Sequence, residues 1–230
     1  MTRLALLLPL ALACTTPAFA ADGAVARGDI PDAKAVLEVR PPARPGFVPE
    51  ALPPRFVLMD DGRVFVGGFE GLASARLEKN ELKALEKRLQ QLKRMPGIGT
   101  TVTFGPGDTR YRLRVPKDRI DVVATGDPAS APIELRVLAS LVGDLAGFNH
   151  PALQPLAPAQ YLAAAREETL AGGCRPWRSW PAIAEIAAAP RVIPAESVAG
   201  WPTGAIAASV CENGRLFALT LRPLLPGEQP

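Results

Sequence analysis

Apolar and polar residues alternate from Ala35 to Arg40, with Val36, Leu37 and Val39 set against Glu38 and Arg40, and the run stops at Pro41-Pro42. That pattern predicts a first strand. From Arg55 to Val66 two apolar runs, Phe56-Val57-Leu58-Met59 and Val64-Phe65-Val66, flank Asp61-Gly62. Asp-Gly readily supplies the positive φ angles of a two-residue hairpin turn, and in that register Asp60 faces Arg63. From Glu78 to Arg94 the period lengthens. Leu82, Leu85, Leu89 and Leu92 recur at spacings of three and four with Lys, Glu, Arg and Gln opposite them. The result is an amphipathic helix whose leucine stripe packs on a sheet.

Met95-Pro96-Gly97 ends that helix, and alternation returns from Thr101 to Val115. Val102, Phe104, Tyr111, Leu113 and Val115 fall on one face, and Thr101, Thr103, Arg110, Arg112 and Arg114 on the other. Gly105-Pro106-Gly107-Asp108 reads as the turn of a second hairpin. Pro132 to Leu145 follows as a second helix, buried along Leu135, Leu138, Val142 and Leu145, with Ser130 near its start as a cap. Hairpin, helix, hairpin, helix predicts an α+β fold. Its antiparallel sheet is built from β-hairpin/helix repeats, with the helices packed on one face.

The rest of the chain is less regular. Pro151, Pro155 and Pro158 mark a linker, and Gln160 to Thr169 is alanine-rich enough to fit either a helix or a strand. Ala205 to Leu221 is a hairpin turning at Asn213-Gly214, with Glu212 facing Arg215. Its apolar face carries Ile206, Ala208, Val210, Phe217, Leu219 and Leu221, and Cys211 points to the other side. Residues 35–150 thus form the α+β repeat core. Residues 151–230 form a C-terminal extension packed on the same core, and residues 21–34 a flexible leader.

Residues 1–20 have the layout of a secretory signal peptide. Arg3 supplies the positive start, and Leu4 to Ala13 form an apolar stretch too short to cross a bilayer. Ala18-Phe19-Ala20 places small residues where signal peptidase reads them, so cleavage before Ala21 is expected. The alternative is acylation at Cys14 and a lipid-anchored chain, with Ala11 in place of the usual leucine three residues upstream. Either way the mature protein folds outside the cytoplasm, in the periplasm or beyond, with no transmembrane helix. Its two remaining cysteines, Cys174 and Cys211, are read as a disulfide. Closing the loop between them is worth about 4 kcal/mol by the chain-entropy argument. Cys174 would then be clamped over the sheet by Cys211, holding Trp177 and Trp180 as an aromatic plug.

Three stretches resemble a bacterial group of exported proteins and lipoproteins of uncharacterised function. They are Gly46-Phe47-Val48-Pro49, then Pro54-Arg55-Phe56-Val57-Leu58 running into Asp61-Gly62-Arg63-Val64, and Arg222-Pro223-Leu224-Leu225-Pro226-Gly227-Glu228 near the end. The leucine-striped helix, the strand at Thr100-Thr101 and the second helix come between them in the group's order. The resemblance implies export and an α+β fold over most of residues 35–230. It brings no activity, ligand or catalytic residue.

Charge and composition narrow the function. Of 26 basic side chains only Arg3 lies in the signal, against 23 acidic ones, so the mature chain is nearly neutral. No nucleic-acid partner is expected. A hydrophobic fraction of 48% against 21% charged residues supports a packed core, and 25 prolines with 20 glycines favour short strands and turns over a helical bundle.

Catalytic chemistry has thin support. His150 is the lone histidine, without a Gly-x-Ser-x-Gly elbow or a Cys-x-x-Cys pair, so neither a triad nor a zinc site is built locally. Asp60 with Asp61, and Glu167 with Glu168, read as turn or surface acids rather than a glycosidase pair, and the first two lack the following ligands of a calcium loop. Gly97-Ile98-Gly99 and Gly105-Pro106-Gly107 lack a phosphate-loop context. No cofactor or metal is expected. Two surface features remain. Arg110, Arg112 and Arg114, with Lys117 and Arg119 beyond, form a basic stripe suited to an anionic envelope component or simply to a solvated face. Trp177, Trp180 and Trp201 are interface anchors or the cover of a small core.

The function expected from the sequence is therefore a non-catalytic binding protein of the cell envelope. The alternatives are a hydrolase assembled only in the fold and a tethered lipoprotein with a structural role. Intact mass of the protein purified from its own host tests the export reading. A chain beginning at Ala21, with two thiols appearing only on reduction, is expected; an acylated chain beginning at Cys14 overturns soluble export.

Overall fold

The computed structural model describes residues 30–42, 52–67, 71–95, 100–169, 173–201 and 206–228. The expected signal, Cys14, Gly46 to Pro49 and Pro96 to Gly99 lie outside the described residues. The fold is α+β, with mostly antiparallel sheets, helices packed on them, and a disulfide in the C-terminal region.

The first strand, β1 (Ala33–Arg40), begins two residues earlier than expected, and Ile30 ahead of it is buried. It lies at the centre of an eight-stranded sheet. On one side β2 (Phe56–Met59), β3 (Arg63–Val66) and β4 (Ala73–Arg76) follow in antiparallel order. The register Phe56↔Val66 and Leu58↔Val64 leaves Asp60, Asp61 and Gly62 as a three-residue connection. Asp60 therefore does not face Arg63. Gly62 takes φ +81° and donates to the Met59 carbonyl, and the Asp61 carboxylate receives the backbone and side chain of Arg63.

Helix α1 (Lys79–Lys93) buries Leu85, Leu89 and Leu92. Helix α2 (Arg136–Ala146) buries Leu138, Val142 and Leu145 as expected, and also Ala139 and Leu141. A 3₁₀ turn at Ile133–Leu135 precedes it, and Ser130 sits in another turn, capped by Asp127, rather than at the helix start. Both helices share one core with the inward residues of the sheet, including Leu37, Phe56, Phe104 and Leu113.

The second expected hairpin does not form. Strand β5 (Thr101–Thr103) runs parallel to β7 (Ile120–Thr125), and β7 separates it from β6 (Arg110–Val115). The facing of the side chains is as expected; their partners are not. Loop crossing explains the difference. The segment after β5 passes over the end of β7, where the Gly126 and Asp127 amides donate to the carbonyls of Thr109 and Pro106. A Cβ on Gly126, whose φ is +102°, would lie 2.1 Å from the Gly105 carbonyl oxygen. Only glycine allows that approach.

The proline-marked linker is also an edge strand, since β8 (Gln154–Pro155) pairs with β4. Beyond it, β9 (Gln160–Glu168) resolves the alanine-rich stretch as a strand. A second, five-stranded sheet has the order β10-β12-β13-β9-β11, from β10 (Arg175–Pro176), β11 (Arg191–Pro194), β12 (Ile206–Glu212) and β13 (Arg215–Pro223). Asn213 and Gly214 take positive φ, and Glu212 pairs with Arg215 as expected. Helix α3 (Ile183–Ala188) covers one face of this sheet with Ile183 and Ile186, against Phe217, Leu219 and Leu221. Ala205 lies outside the described residues.

The end of the chain ties this sheet to the back of the first one. Leu225 packs with Val36, Val57 and Phe65 on the face turned away from α1 and α2. Arg222 and Glu228, with side chains only 6% and 2% exposed, form an ion pair at 2.7 Å, and Glu228 also accepts from the Leu225 amide. Removing one member of a buried pair strands the other charge, at about 3–5 kcal/mol. Glu228→Ala is therefore expected to lower the unfolding free energy measured in urea by an amount of that order. The double change Arg222→Met with Glu228→Leu should recover most of it; equal losses in both variants would mean that the pair is not what the junction needs.

Candidate functional site

Alternation on β6 turns Arg110, Arg112 and Arg114 to the face of the first sheet opposite α1 and α2. The structure brings all three onto that face but gives them different surroundings. Arg112 makes a two-pronged bond to Asp121 on β7, at 2.7 and 2.5 Å. Arg114 donates to Glu38 on β1 at 3.1 Å. Asp121 is consequently held below the ordinary carboxylate range by Arg112. Glu38, in contrast, is raised, because burial outweighs Arg114 and Arg40 beside it. Of the outlying cations, Lys117 is bonded to Asp60 at 2.7 Å.

Arg110 is exposed, and none of the described carboxylates is hydrogen-bonded to it. Its cross-strand neighbours are Arg40 on β1 and Thr125 on β7, and Thr125 in turn pairs with Thr103 on β5. Thr103, Thr125, Arg110 and Arg40 thus form a row across four adjacent strands, on the face away from the helices. The next row is Thr101, Val123, Arg112 and Glu38. Arg40 and Thr125 could not be added to the site from the arginine stripe alone. The signal was the alternation of Ile120, Val122 and Ala124 with Asp121, Val123 and Thr125, which marks β7.

His150 has a positional task. Its Nδ1 accepts from the Ala152 amide, so Nε2 is the nitrogen that donates to Glu81, 3.0 Å away. The other Glu81 oxygen accepts from the Glu78 amide at the start of α1, and these two bonds hold Glu81 below its usual range, with the backbone bond the larger cause. His150 also stacks on Phe148, which packs on Phe56. Nearby, Arg55 delivers its guanidinium to the carbonyls of Ala146, Phe148 and Gly67. The adjoining groove, of about 670 Å³, is lined mainly by apolar groups and this committed arginine.

The remaining acids are engaged too. Asp61 is lowered chiefly by the Arg63 amide, and Glu167 by a two-pronged bond from Arg215. Glu167 and Glu168 are neighbours on β9, so they point to opposite faces. Among the described residues, no group of three or more His, Cys, Asp or Glu side chains could hold a metal ion, and no helix is long and apolar enough to cross a membrane.

Cys174 and Cys211 are bonded. The bond does not fold its segment over the sheet, since Arg175 and Pro176 pair beside β12 as an edge strand. Trp177 then enters the core and donates to the Pro181 carbonyl, with Trp201 edge-on at 6.0 Å and Arg175 over the Trp201 ring. Trp180 is no part of that plug and is 76% exposed.

Asp61, Glu81, Asp121 and Glu167 are depressed from ordinary values of 3.8 or 4.5, so their contribution is full above those values and is lost as pH falls through the folded ones. Glu38 acts in reverse, costing stability at neutral pH that is recovered on protonation. Urea midpoints at pH 7, 5 and 3 should be level or slightly higher at 5 and clearly lower at 3. A monotonic rise towards acid would contradict these assignments. No protein-family model, curated protein or solved structure matches this chain.

Proposed function

We propose that this chain is an exported, non-catalytic binding protein of the cell envelope, holding an anionic component on the arginine-bearing face of its first sheet. The observation that carries this reading is the pairing of Arg110 with Arg40 on adjacent strands. Like charges placed directly opposite each other destabilise a sheet, and neither side chain is hydrogen-bonded to a described carboxylate. The face carries Arg40, Arg110, Arg112 and Arg114 against Glu38 and Asp121, which leaves it two charges positive. An anion seated there removes the repulsion and gains charge-assisted hydrogen bonds.

The disulfide supports an oxidising location. A binding role is favoured over hydrolysis because the candidate base, His150, is fixed to a helix-capping glutamate, and the candidate acids Asp60, Asp61 and Glu167 are bonded to lysine or arginine.

Sedimentation with envelopes isolated from the protein's own host tests the proposal. Binding is expected at about 0.05 M salt and to fall severalfold at about 0.5 M, where screening is strong. Arg110→Glu should weaken it at least fivefold at low salt while leaving the unfolding free energy within about 0.5 kcal/mol of wild type. Binding indifferent to both salt and Arg110→Glu would sink the proposal.

A further inference from the structure

Deepening that reading, and resting on it, we infer that the row Thr103, Thr125, Arg110 and Arg40 is a phosphate-ester site, with the phosphate held between the two guanidiniums. Register places the four residues side by side on β5, β7, β6 and β1, all on the face turned from the helices. Neighbouring strands lie about 4.8 Å apart, so the row is about 14 Å long from Thr103 to Arg40. One end carries two hydroxyl groups and the other two guanidiniums.

The direction of the acceptors favours one ligand. A carboxylate's lone pairs lie in one plane, so two guanidiniums reach it together only when both approach in that plane. A tetrahedral phosphate offers oxygens in more than one direction and can accept from both arginines at once. The two threonine hydroxyls, each able to donate or accept, are then placed to meet ester oxygens or hydroxyls of the group that bears the phosphate. No described carboxylate is hydrogen-bonded to Arg40 or Arg110, although Glu38 lies close enough to Arg40 to feel its charge. Asp121 is occupied by Arg112, Glu38 bonds Arg114, and Asp127 caps its own turn by accepting from the Ala129 amide and the Ser130 hydroxyl.

The row is also preformed. Its strands are fixed from below by Leu113, Val122, Ala124 and Phe104, all buried in the main core. Binding therefore orders side chains only, on a backbone already in place. The same chemistry is found in a lipid headgroup and in a soluble or polymeric phosphate, and the row itself is open to both.

The test uses the mature full chain and three probes: glycerol phosphate, sodium acetate at equal ionic strength, and vesicles of phosphatidylglycerol or phosphatidylcholine. Amide shifts are followed for Thr103, Arg110, Thr125 and Arg40. Glycerol phosphate should shift these amides together and bind at least tenfold more tightly than acetate. Arg40→Gln with Arg110→Gln should weaken it at least tenfold, and Thr103→Val with Thr125→Val severalfold. Arg136→Gln, a cation on α2, should leave it unchanged.

Phosphatidylglycerol vesicles binding more tightly than glycerol phosphate, with the same variants impaired, supports the site and places the phosphate on a lipid. Glycerol phosphate binding alone supports it with a soluble source. Equal affinity for acetate and phosphate, or phosphate binding untouched by the row variants, overturns the site. After either of those failures, envelopes that still bind in an Arg110-dependent way leave the arginine face standing and remove only the phosphate row. Loss of envelope binding as well removes both.

Discussion

A guanidinium drawn into a protein must pass its N–H groups to acceptors that the fold holds still, and Arg55 does this with backbone carbonyls from the end of α2 and the end of β3. Those carbonyls include the last ones of a helix, which carry partial negative charge and lack partners of their own. One side chain thus closes a helix end and fixes the start of β2. Phe56, next in sequence, packs on Phe148, and His150 stacks on Phe148 in turn. This joint ties the end of the helix layer to β2, which pairs with β1, one of the strands of the arginine face.

The second constraint is strand order. With β7 between β5 and β6, the outward residues of four strands fall into rows, and each arginine of β6 meets a different cross-strand environment. Arg112 and Arg114 meet acids; Arg110 meets Arg40 and Thr125. Three residues that look equivalent along one strand become two neutralised cations and one that is not. The electrostatics of the face follow from register rather than from composition.

Short-range signals in the sequence were readable because their physics is local. Asn213-Gly214 takes the positive φ angles that its turn needs, and the leucine spacing of α1 buries Leu85, Leu89 and Leu92 and half-buries Leu82. Partner choice was not readable, because alternation says which way a side chain faces and leaves open which strand lies beside it. The crossing at Gly105 and Gly126 chose the partner of β5. Gln160 to Glu168 had no decisive period because its fate is set by β13 and β11 on either side. Likewise nothing local marks Arg222 and Glu228 as buried, since such residues are ordinarily on the surface. Of the site, the three arginines and the facing of Thr103 were visible, and the companions supplied by β1 and β7 were not.

The disulfide has a further effect through the two-residue strand it holds. Arg175 and Pro176 pair with Val210 and Cys211, so β10 occupies the outer side of β12. An unpaired strand margin is an invitation to intermolecular β-pairing, and proteins protect such margins with short strands, prolines and charges. Here an arginine and a proline sit at the margin, fastened covalently by Cys174 and Cys211. Short, proline-bearing and covalently tethered, that margin has the features that discourage strand-to-strand polymerisation.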